Sequence, residues 1–459
     1  MIKKNYMKTK LLTLAIVWLF ANTVYAQKEN NIWYFGNQAG LDFNSGSPVA
    51  LTDGMTNTVE GCASISDANG SLLFYTDGIT VWDRIHTQMP NGFGLGGGLS
   101  STQSALIVPF PGNNLMYYIF TVEDASSGNF SFSVVDMSLN GGNGDVTIKN
   151  SFLLSSVAEK LTAVKNANNT GMWVMVHEKN NDAFYAYLVT SAGVSAAPVV
   201  SNAGQSLSGM VIGQMKFSPD GLKIAFVPHM AYADLFDFNA ATGVVSNEIY
   251  LTNISSSSYG VEFSSNGKYL YGADYGNIYQ WDITSNNAAT INASWQTIGS
   301  SSGIIGSLQY GPDGKIYAAK YNASSLSVIN NPDSAGLACN YVDNAVSLAG
   351  KMCQLGLPNY ITSDFLPTGI SNLQPPINYQ ISPNPATDKI TISFAATTSE
   401  NISVKIYSIT GEVVFEEENK IGTNYFNKPI DVTGFSNGIY FLSVQTGREV
   451  VTKKIVVQH

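Results

Sequence analysis

A short turn recurs through this chain at nearly regular intervals, and that repeat limits the folds open to it more than any other feature. The clearest copy runs Phe217-Ser218-Pro219-Asp220-Gly221-Leu222-Lys223-Ile224-Ala225-Phe226. Pro219 presets φ for the second position of a type I turn, and Asp220 tolerates the third. Gly221 can take the left-handed conformation that closes a hairpin with a bulge. The same device returns at Phe263 to Tyr271, with its turn at Asn266-Gly267, and at Tyr310 to Tyr317, with Pro312-Asp313-Gly314. Looser copies place turns at Asn69-Gly70, Asn113-Asn114 and Thr170-Gly171. Turn positions 70, 114, 171, 221, 267 and 314 lie 44, 57, 50, 46 and 47 residues apart. A period in the forties with four strands to the unit is the signature of a β-propeller blade, whose faces must be covered by neighbouring blades. Residues 27–365 leave room for seven units, the seventh a composite in which strands around Ile32 to Phe43 pair with strands around Ala338 to Tyr360. Six blades, or an unrelated array of β-sandwiches, are the alternatives.

The N-terminus carries an export signal. Lys3, Lys4, Lys8 and Lys10 form a basic region, Leu11 to Phe20 an apolar one, and Val24-Tyr25-Ala26 a small-residue cleavage site, which predicts a signal peptide over 1–26 cut between Ala26 and Gln27. Ten apolar residues rise only about 15 Å as a helix, roughly half a hydrocarbon core. Residues 27–377 hold 12 basic and 25 acidic groups. So acidic a body repels nucleic acid and anionic lipid, while calcium and neutral glycans remain compatible partners. Cys62, Cys339 and Cys353 cannot all pair within one molecule. Cys339 with Cys353 is the shorter closure, Cys62 with either would tie the start of the large domain to its end, and the connectivity stays open.

Pro367, Gly369, Pro375 and Pro376 mark residues 366–377 as a linker. Beyond it, Ile390, Ile392 and Phe394 alternate with Thr391 and Ser393, and turns are signalled at Thr410-Gly411 and Asn437-Gly438. Val404 and Ile406 precede the first turn, and Ile439, Phe441 and Val444 follow the second. Seven short strands in residues 378–459 suggest a small immunoglobulin-like sandwich. Pro383 and Pro385 should fix the lead into its first strand, and Gly411 and Gly438 should permit turns that other residues would strain.

Four features occur in order here: Ser382-Pro383-Asn384-Pro385; Val404-Lys405-Ile406-Tyr407 leading to Gly411; Asp431-Val432 with Gly438-Ile439-Tyr440-Phe441; and the terminal Lys453-Lys454-Ile455-Val456-Val457. Together they resemble the type A C-terminal sorting domain of type IX secretion cargo in Bacteroidota. The resemblance implies the secretion machinery and a sortase-like peptidase as partners, with cargo released or attached to surface lipopolysaccharide. The string FSPDGLKIAF resembles the repeat of TolB- and lactonase-type propellers. Trp33-Tyr34-Phe35-Gly36, Glu60-Gly61 and Leu73 to Gly78 resemble N-terminal propeller-like domains of Bacteroidota surface proteins. A repeat of this kind specifies a fold and hardly a function.

No nucleophile elbow, P-loop, HExxH or EF-hand loop occurs, and the sialidase Asp-box spacing is not met. Gly92 to Gly98 lacks the strand-to-helix setting of a phosphate cradle and reads as an inter-blade loop. Glu60, Asp77, Asp83, His177, Glu178, His229 and Asp274 are candidates for a central funnel by location at strand ends. Trp33, Trp82, Trp173, Trp281 and Trp295 read as packing between blades. With no cofactor motif, the leading reading is a binding or scaffold propeller for a glycan, peptide or protein. The second is a polysaccharide hydrolase or lyase, whose paired carboxylates only the fold would bring together.

Overall fold

The structure is a computed structural model that describes residues 28–124, 127–207, 211–365, 380–396, 401–409, 411–420, 424–445 and 450–459. The expected signal peptide over 1–26 with its cleavage pair Ala26 and Gln27, and the expected linker at 366–377, lie outside the described residues. The chain divides into two compact units, Met1–Thr368 and Gly369–His459.

Seven antiparallel sheets follow one another among the described residues of the first unit. Sheet 1 (32–51) has three strands, and sheet 4 (157–202) has five. Sheets 2 (63–93), 3 (105–154), 5 (215–251), 6 (260–300) and 7 (305–347) have four strands each, paired in sequence order. All six turns read from the sequence join the first strand to the second, in sheets 2 to 7. Gly70, Gly221, Gly267 and Gly314 hold the left-handed φ the hairpin needs, from 67° to 87°.

Each sheet buries its faces against its neighbours. Tyr34 of sheet 1 packs with Tyr75 of sheet 2, Phe74 with Ile119 of sheet 3, and Phe120 with Val174 of sheet 4. Trp173 shares a core with Phe236 of sheet 5, Leu235 with Trp281 of sheet 6, and Tyr271 with Ile316 of sheet 7. The circle then closes, because Tyr317 of sheet 7 packs on Trp33 of sheet 1, ring centroids 5.4 Å apart. First strands of neighbouring sheets also lie side by side. A closed ring of meanders, each covering the next, is a β-propeller.

Closure differs from the expected composite sheet. The strand Tyr341–Ser347 simply continues the meander of sheet 7, pairing with Ser325–Ile329. After Ala349 and Gly350 turn the chain with φ of 51° and 88°, residues 352–361 run inward and lock the ring. Isolated bridges join Asn37 to Met352 and Cys62 to Pro358. The Leu355 N–H donates to the Val59 carbonyl at 2.8 Å, and the Ser307 N–H to the Leu355 carbonyl at 2.7 Å. Gly356 passes so close to Glu60 that an added Cβ would sit 1.7 Å from its carbonyl oxygen. Gly356→Ala must therefore shift backbone against backbone, and we expect it to cost about 3 kcal/mol in urea unfolding of the propeller. An unchanged midpoint would show that this segment is not a tight latch.

The three cysteines are buried, unpaired thiols; Cys62 and Cys353 share the closing core, while Cys339 lies between sheets 6 and 7. Trp33, Trp173 and Trp281 are buried between sheets, with Trp295 and Trp82 packed at the edges of such cores.

Among the described residues the second unit has seven strands in two sheets, one of Gln380–Ser382, Lys389–Ala396 and Asn424–Asp431. The other is ordered Val413–Lys420, Asn401–Ser408, Gly438–Gln445, Val450–Val457. Ile390, Ile392 and Ile430 of the first sheet share one core with Val404, Ile406, Leu442 and Ile455 of the second. On the strand Gly438–Gln445, Tyr440, Leu442 and Val444 are buried, whereas Ile439 and Phe441 are exposed. Gly438 opens this strand, and the alternation of side chains sends its even positions inward and its odd positions out.

Candidate functional site

In each of sheets 2 to 7 the first strand starts, and the second strand hands over to the third, at the same face of the ring. The Asn-Gly turns lie at the opposite face. Between the two faces, buried polar side chains from several sheets meet in a network across the ring. Lys216 donates to Gln309 Oε1 at 2.6 Å and to Asn359 Oδ1 at 3.5 Å, and its ammonium lies 3.8 Å from Glu262 Oε2. Glu262 accepts the Phe263 N–H at 2.9 Å and the Tyr310 N–H at 3.1 Å. Asn359 Nδ2 donates to the Leu161 carbonyl at 2.8 Å, and Gln103 Nε2 donates to Asn359 Oδ1 at 3.3 Å. Lys216, Glu262 and Gln309 are each fully buried. Burial pushes the Glu262 carboxyl up and the Lys216 ammonium down, each against the pull of the other's charge.

Nearer the first-strand face the network is incomplete. Glu60 is 6 % exposed; the buried Tyr259 hydroxyl and the Thr102 and Ser100 hydroxyls are in reach of its carboxyl, but none meets Oε2 in the geometry of a well-formed hydrogen bond. Glu159 stands near enough for its charge to act on Glu60, and it accepts the Thr102 N–H at 3.0 Å and the Thr102 hydroxyl at 3.1 Å. Burial first, then the Glu159 charge, push the Glu60 carboxyl up to about 8. His229 and Tyr275, both part-exposed, pack nearby with ring centroids 5.2 Å apart and planes tilted by 53°, and the Glu60 charge reaches Tyr275.

Glu60 makes stability depend on pH. Its folded value of about 8 lies above the ordinary 4.5, so its contribution is complete below pH 4.5 and lost as pH rises through 8. His177, lowered to about 4, works the other way and loses its contribution as pH falls below 6.5. The difference between variants isolates Glu60. We expect Glu60→Gln to gain on the wild type by up to about 1.4 kcal/mol per pH unit between pH 5 and 8, read from urea midpoints. Parallel pH profiles would contradict the assignment.

The other predicted funnel residues are held in loops. Asp77 accepts the Ile79 and Thr80 N–H groups at 2.9 and 2.7 Å, and Asp274 accepts those of Gly276 and Asn277 at 2.8 and 2.7 Å with the Tyr279 hydroxyl at 2.6 Å. These are turn-closing carboxylates of the second-to-third connection. Asp83 closes a turn of the third-to-fourth connection, on the opposite face, by accepting Ile85 and Thr87 N–H groups at 3.0 and 2.9 Å. His177 is buried between sheets 4 and 5, its Nδ1 2.8 Å from the Glu178 carbonyl oxygen and its ring edge-on to Phe184. Glu178 accepts from Asn181 and, at 2.9 Å, from the Tyr185 hydroxyl. His229 Nδ1 lies 3.1 Å from the Ser258 carbonyl oxygen. Of the seven, only Glu60 and His229 stand at the incomplete part of the axis, joined there by Glu159, Thr102, Tyr259 and Tyr275. No group of three or more His, Cys, Asp or Glu side chains among the described residues is arranged to hold a metal ion.

In the second unit Asn384, between Pro383 and Pro385, ties the leading segment to the last strand. Its Oδ1 accepts the Val456 N–H at 2.8 Å and its Nδ2 donates to the Lys454 carbonyl at 3.1 Å. Gly411 takes φ of 84°, as its turn requires. Gly438 does not have a positive φ, and an added Cβ would meet nothing closer than 4.0 Å, so the strain expected there is absent. Tyr440 donates to the Ser436 carbonyl at 2.9 Å, and Lys453 and Lys454 precede the buried Ile455.

Comparison with known proteins fits this division. No curated protein matches the chain. Among solved structures, a candidate 6-phosphogluconolactonase from Bacteroides uniformis is 13 % identical with a TM-score of 0.47, covering 71 % of this chain and 98 % of that one. Its counterpart from Bacteroides fragilis is 12 % identical with a TM-score of 0.45, covering 72 % and 98 %. The periplasmic gluconolactonase of Pseudomonas aeruginosa is 12 % identical at 0.37, covering 78 % and 97 %. All three are distant likenesses. The family described as "Secretion system C-terminal sorting domain" matches residues 380–458, which coincide with the two-sheet unit. Residues 380–458 are thus a type IX secretion sorting domain, and the protein that carries it is exported to the cell surface or the extracellular space.

Proposed function

We propose that the first unit is a seven-bladed binding propeller, each sheet one blade, presented outside the cell by an immunoglobulin-like sorting sandwich. In this reading a signal peptide over 1–26 is removed before Gln27, the propeller occupies 27–365, and cleavage near the 366–377 linker releases it or leaves it on surface lipopolysaccharide. The observation that carries the binding role is the unfinished polar centre at the first-strand face. Glu60 Oε2 and the Tyr259 hydroxyl are buried there with only poorly aligned hydroxyl neighbours, each other included, while the axis behind them holds well-paired groups. A buried polar group without a partner is costly, and a hydroxyl-rich ligand such as a glycan would supply the missing donors and acceptors.

A second reading, a polysaccharide hydrolase or lyase, draws on one observation: the carboxyls of Glu60 and Glu159 interact, and Glu60 is raised into the range of a general acid. One experiment separates the two. The exported protein and its Glu60→Gln and Tyr259→Phe variants are applied to a glycan array, with product release measured on every glycan that binds. Binding without products, weakened at least tenfold in both variants, supports the binding propeller. Turnover lost in Glu60→Gln supports the enzyme, and binding indifferent to both substitutions removes this face from consideration.

A further inference from the structure

At the ring axis an amine stands beside a carboxamide, with a carboxyl group in reach of the amine. Lys216 is on the first strand of sheet 5, Met215–Phe217, and Asn359 is on the closing segment, 143 residues further along the chain. Lys216 Nζ lies 3.5 Å from Asn359 Oδ1 and 3.8 Å from Glu262 Oε2. Lys216 and Glu262 are fully buried, and Asn359 is 4 % exposed. The carboxamide is held from its other side as well. Gln103 Nε2 donates to its Oδ1 at 3.3 Å, and its Nδ2 donates to the Leu161 and Ala105 carbonyls at 2.8 and 3.4 Å. Gln309 Oε1, the nearer neighbour of Lys216 at 2.6 Å, receives no second donor among the described residues.

In water an amine hardly attacks an amide, because it is protonated and must first meet its target. Neither obstacle holds here. Burial works against both charges of the Lys216–Glu262 pair, and one proton passed from Nζ to Oε2 leaves a neutral amine beside a neutral acid. A desolvated lysine is a nucleophile, and packing replaces the encounter with a fixed approach. Charge developing on Asn359 Oδ1 meets the Gln103 N–H already pointed at it.

We propose that Lys216 and Asn359 join in an intramolecular isopeptide bond that locks the ring. Nζ bonds to Cγ of Asn359, the Cγ–Nδ2 bond breaks, and Nδ2 leaves as ammonia. Glu262 takes protons from Nζ and returns one to Nδ2, as base and then as acid. Of the three protons on the Lys216 ammonium, one leaves on the ammonia, one remains on Glu262, and one stays on the new amide nitrogen. Two buried charges disappear in the exchange, and no oxidant is consumed. Lys216 must let go of Gln309 to reach Cγ, so the bond forms after folding, and a newly folded chain holds the ion pair. The product ties the closing segment to sheet 5 across the axis, independently of any ligand at the first-strand face.

The test is mass spectrometry of the purified full chain, newly prepared and after prolonged incubation at pH 7 and 37 °C. The incubated chain is expected to be lighter by one ammonia and to yield tryptic peptides joined through positions 216 and 359, uncut after Lys216. A succinimide at an Asn-Gly turn loses the same mass, but it opens in hydroxylamine and joins no peptides. Glu262→Gln keeps the shape of the side chain and removes the proton acceptor. It should slow the joining at least tenfold in a protein whose unfolding transition is retained. The wild-type peptides decide the matter even where that variant does not fold. Incubated wild-type chain without joined peptides, a join at Gln309 in place of Asn359, or joining in folded Glu262→Gln at the wild-type rate would overturn the proposal.

Discussion

A chain carrying Ile406→Asp is expected to be synthesised normally and to remain inside the cell envelope, with the amount reaching the surface or the medium reduced at least tenfold. Ile406 is fully buried in the sorting domain, on the strand Asn401–Ser408 between the partners Phe415 and Leu442. An aspartate there has no cation beside it in a core built from aliphatic side chains. Burying an unpaired carboxylate costs several kcal/mol, and a domain of about 80 residues has only a few to spare. The domain should therefore unfold while the propeller, a separate compact unit, stays intact. Lys405→Ala is the matched control on the same strand. Lys405 points out and pairs with Glu416 at 2.8 Å on the surface, an ion pair whose loss should leave export at the wild-type level. Immunoblots of envelope and external fractions read both variants. Normal export of Ile406→Asp would show that a folded domain is not what the machinery reads.

Lys216→Met should be the most damaging single change in the propeller, lowering stability at pH 7 by about 4 kcal/mol in urea unfolding. The substitution removes the donor to Gln309 and Asn359 and leaves the Glu262 charge buried with no cation in contact. Glu262 is already raised above its ordinary value by burial, and Lys216 is what pulls it back. Without that pull its folded value rises further, so the stability it contributes is present at low pH and lost as pH rises. The deficit of Lys216→Met should accordingly be small near pH 5 and grow by up to about 1.4 kcal/mol per pH unit as the solution becomes neutral. A deficit that does not vary with pH would mean that lost packing of the lysine stem, and not the stranded carboxylate, is the cause.

The ring was legible in the sequence because its hairpins are local. Proline, aspartate or asparagine, and glycine at fixed offsets specify a turn without reference to the rest of the chain, and all six turns join the first two strands of a sheet. Sheet 1 carries no such turn; its first two strands are joined through Gly36, Asn37 and Gln38, and its place in the ring rests on contacts with residues 352–361. Closure between segments some 300 residues apart leaves no local pattern, which is why the expected composite sheet differed from the latch observed.

The axis was harder still. Gln103 and Asn359, which share a hydrogen bond, are 256 residues apart. One signal was nevertheless present. Lys216, Glu262 and Gln309 each stand immediately before the aromatic residue that opens the turn motif, at Phe217, Phe263 and Tyr310. Three polar residues at one repeat position of otherwise apolar strands mark a shared environment, and the ring turns that position toward its axis. The loop aspartates misled for a related reason. An aspartate at a strand end can bind a ligand or cap its own turn, and Asp77, Asp83 and Asp274 all do the second.

The claim that the last eighty residues are a self-sufficient address is tested most directly by moving them. A signal peptide, a reporter that folds in the periplasm and residues 366–459 are fused in that order and expressed in a bacterium with type IX secretion, and reporter activity is measured in the medium, on intact cells and in the periplasm. The account predicts reporter on the cell surface or in the medium, and its loss from both when Ile406→Asp is introduced into the fused segment. Reporter confined to the periplasm with the segment intact would mean that the propeller itself takes part in export, and the separation of cargo from address would fail.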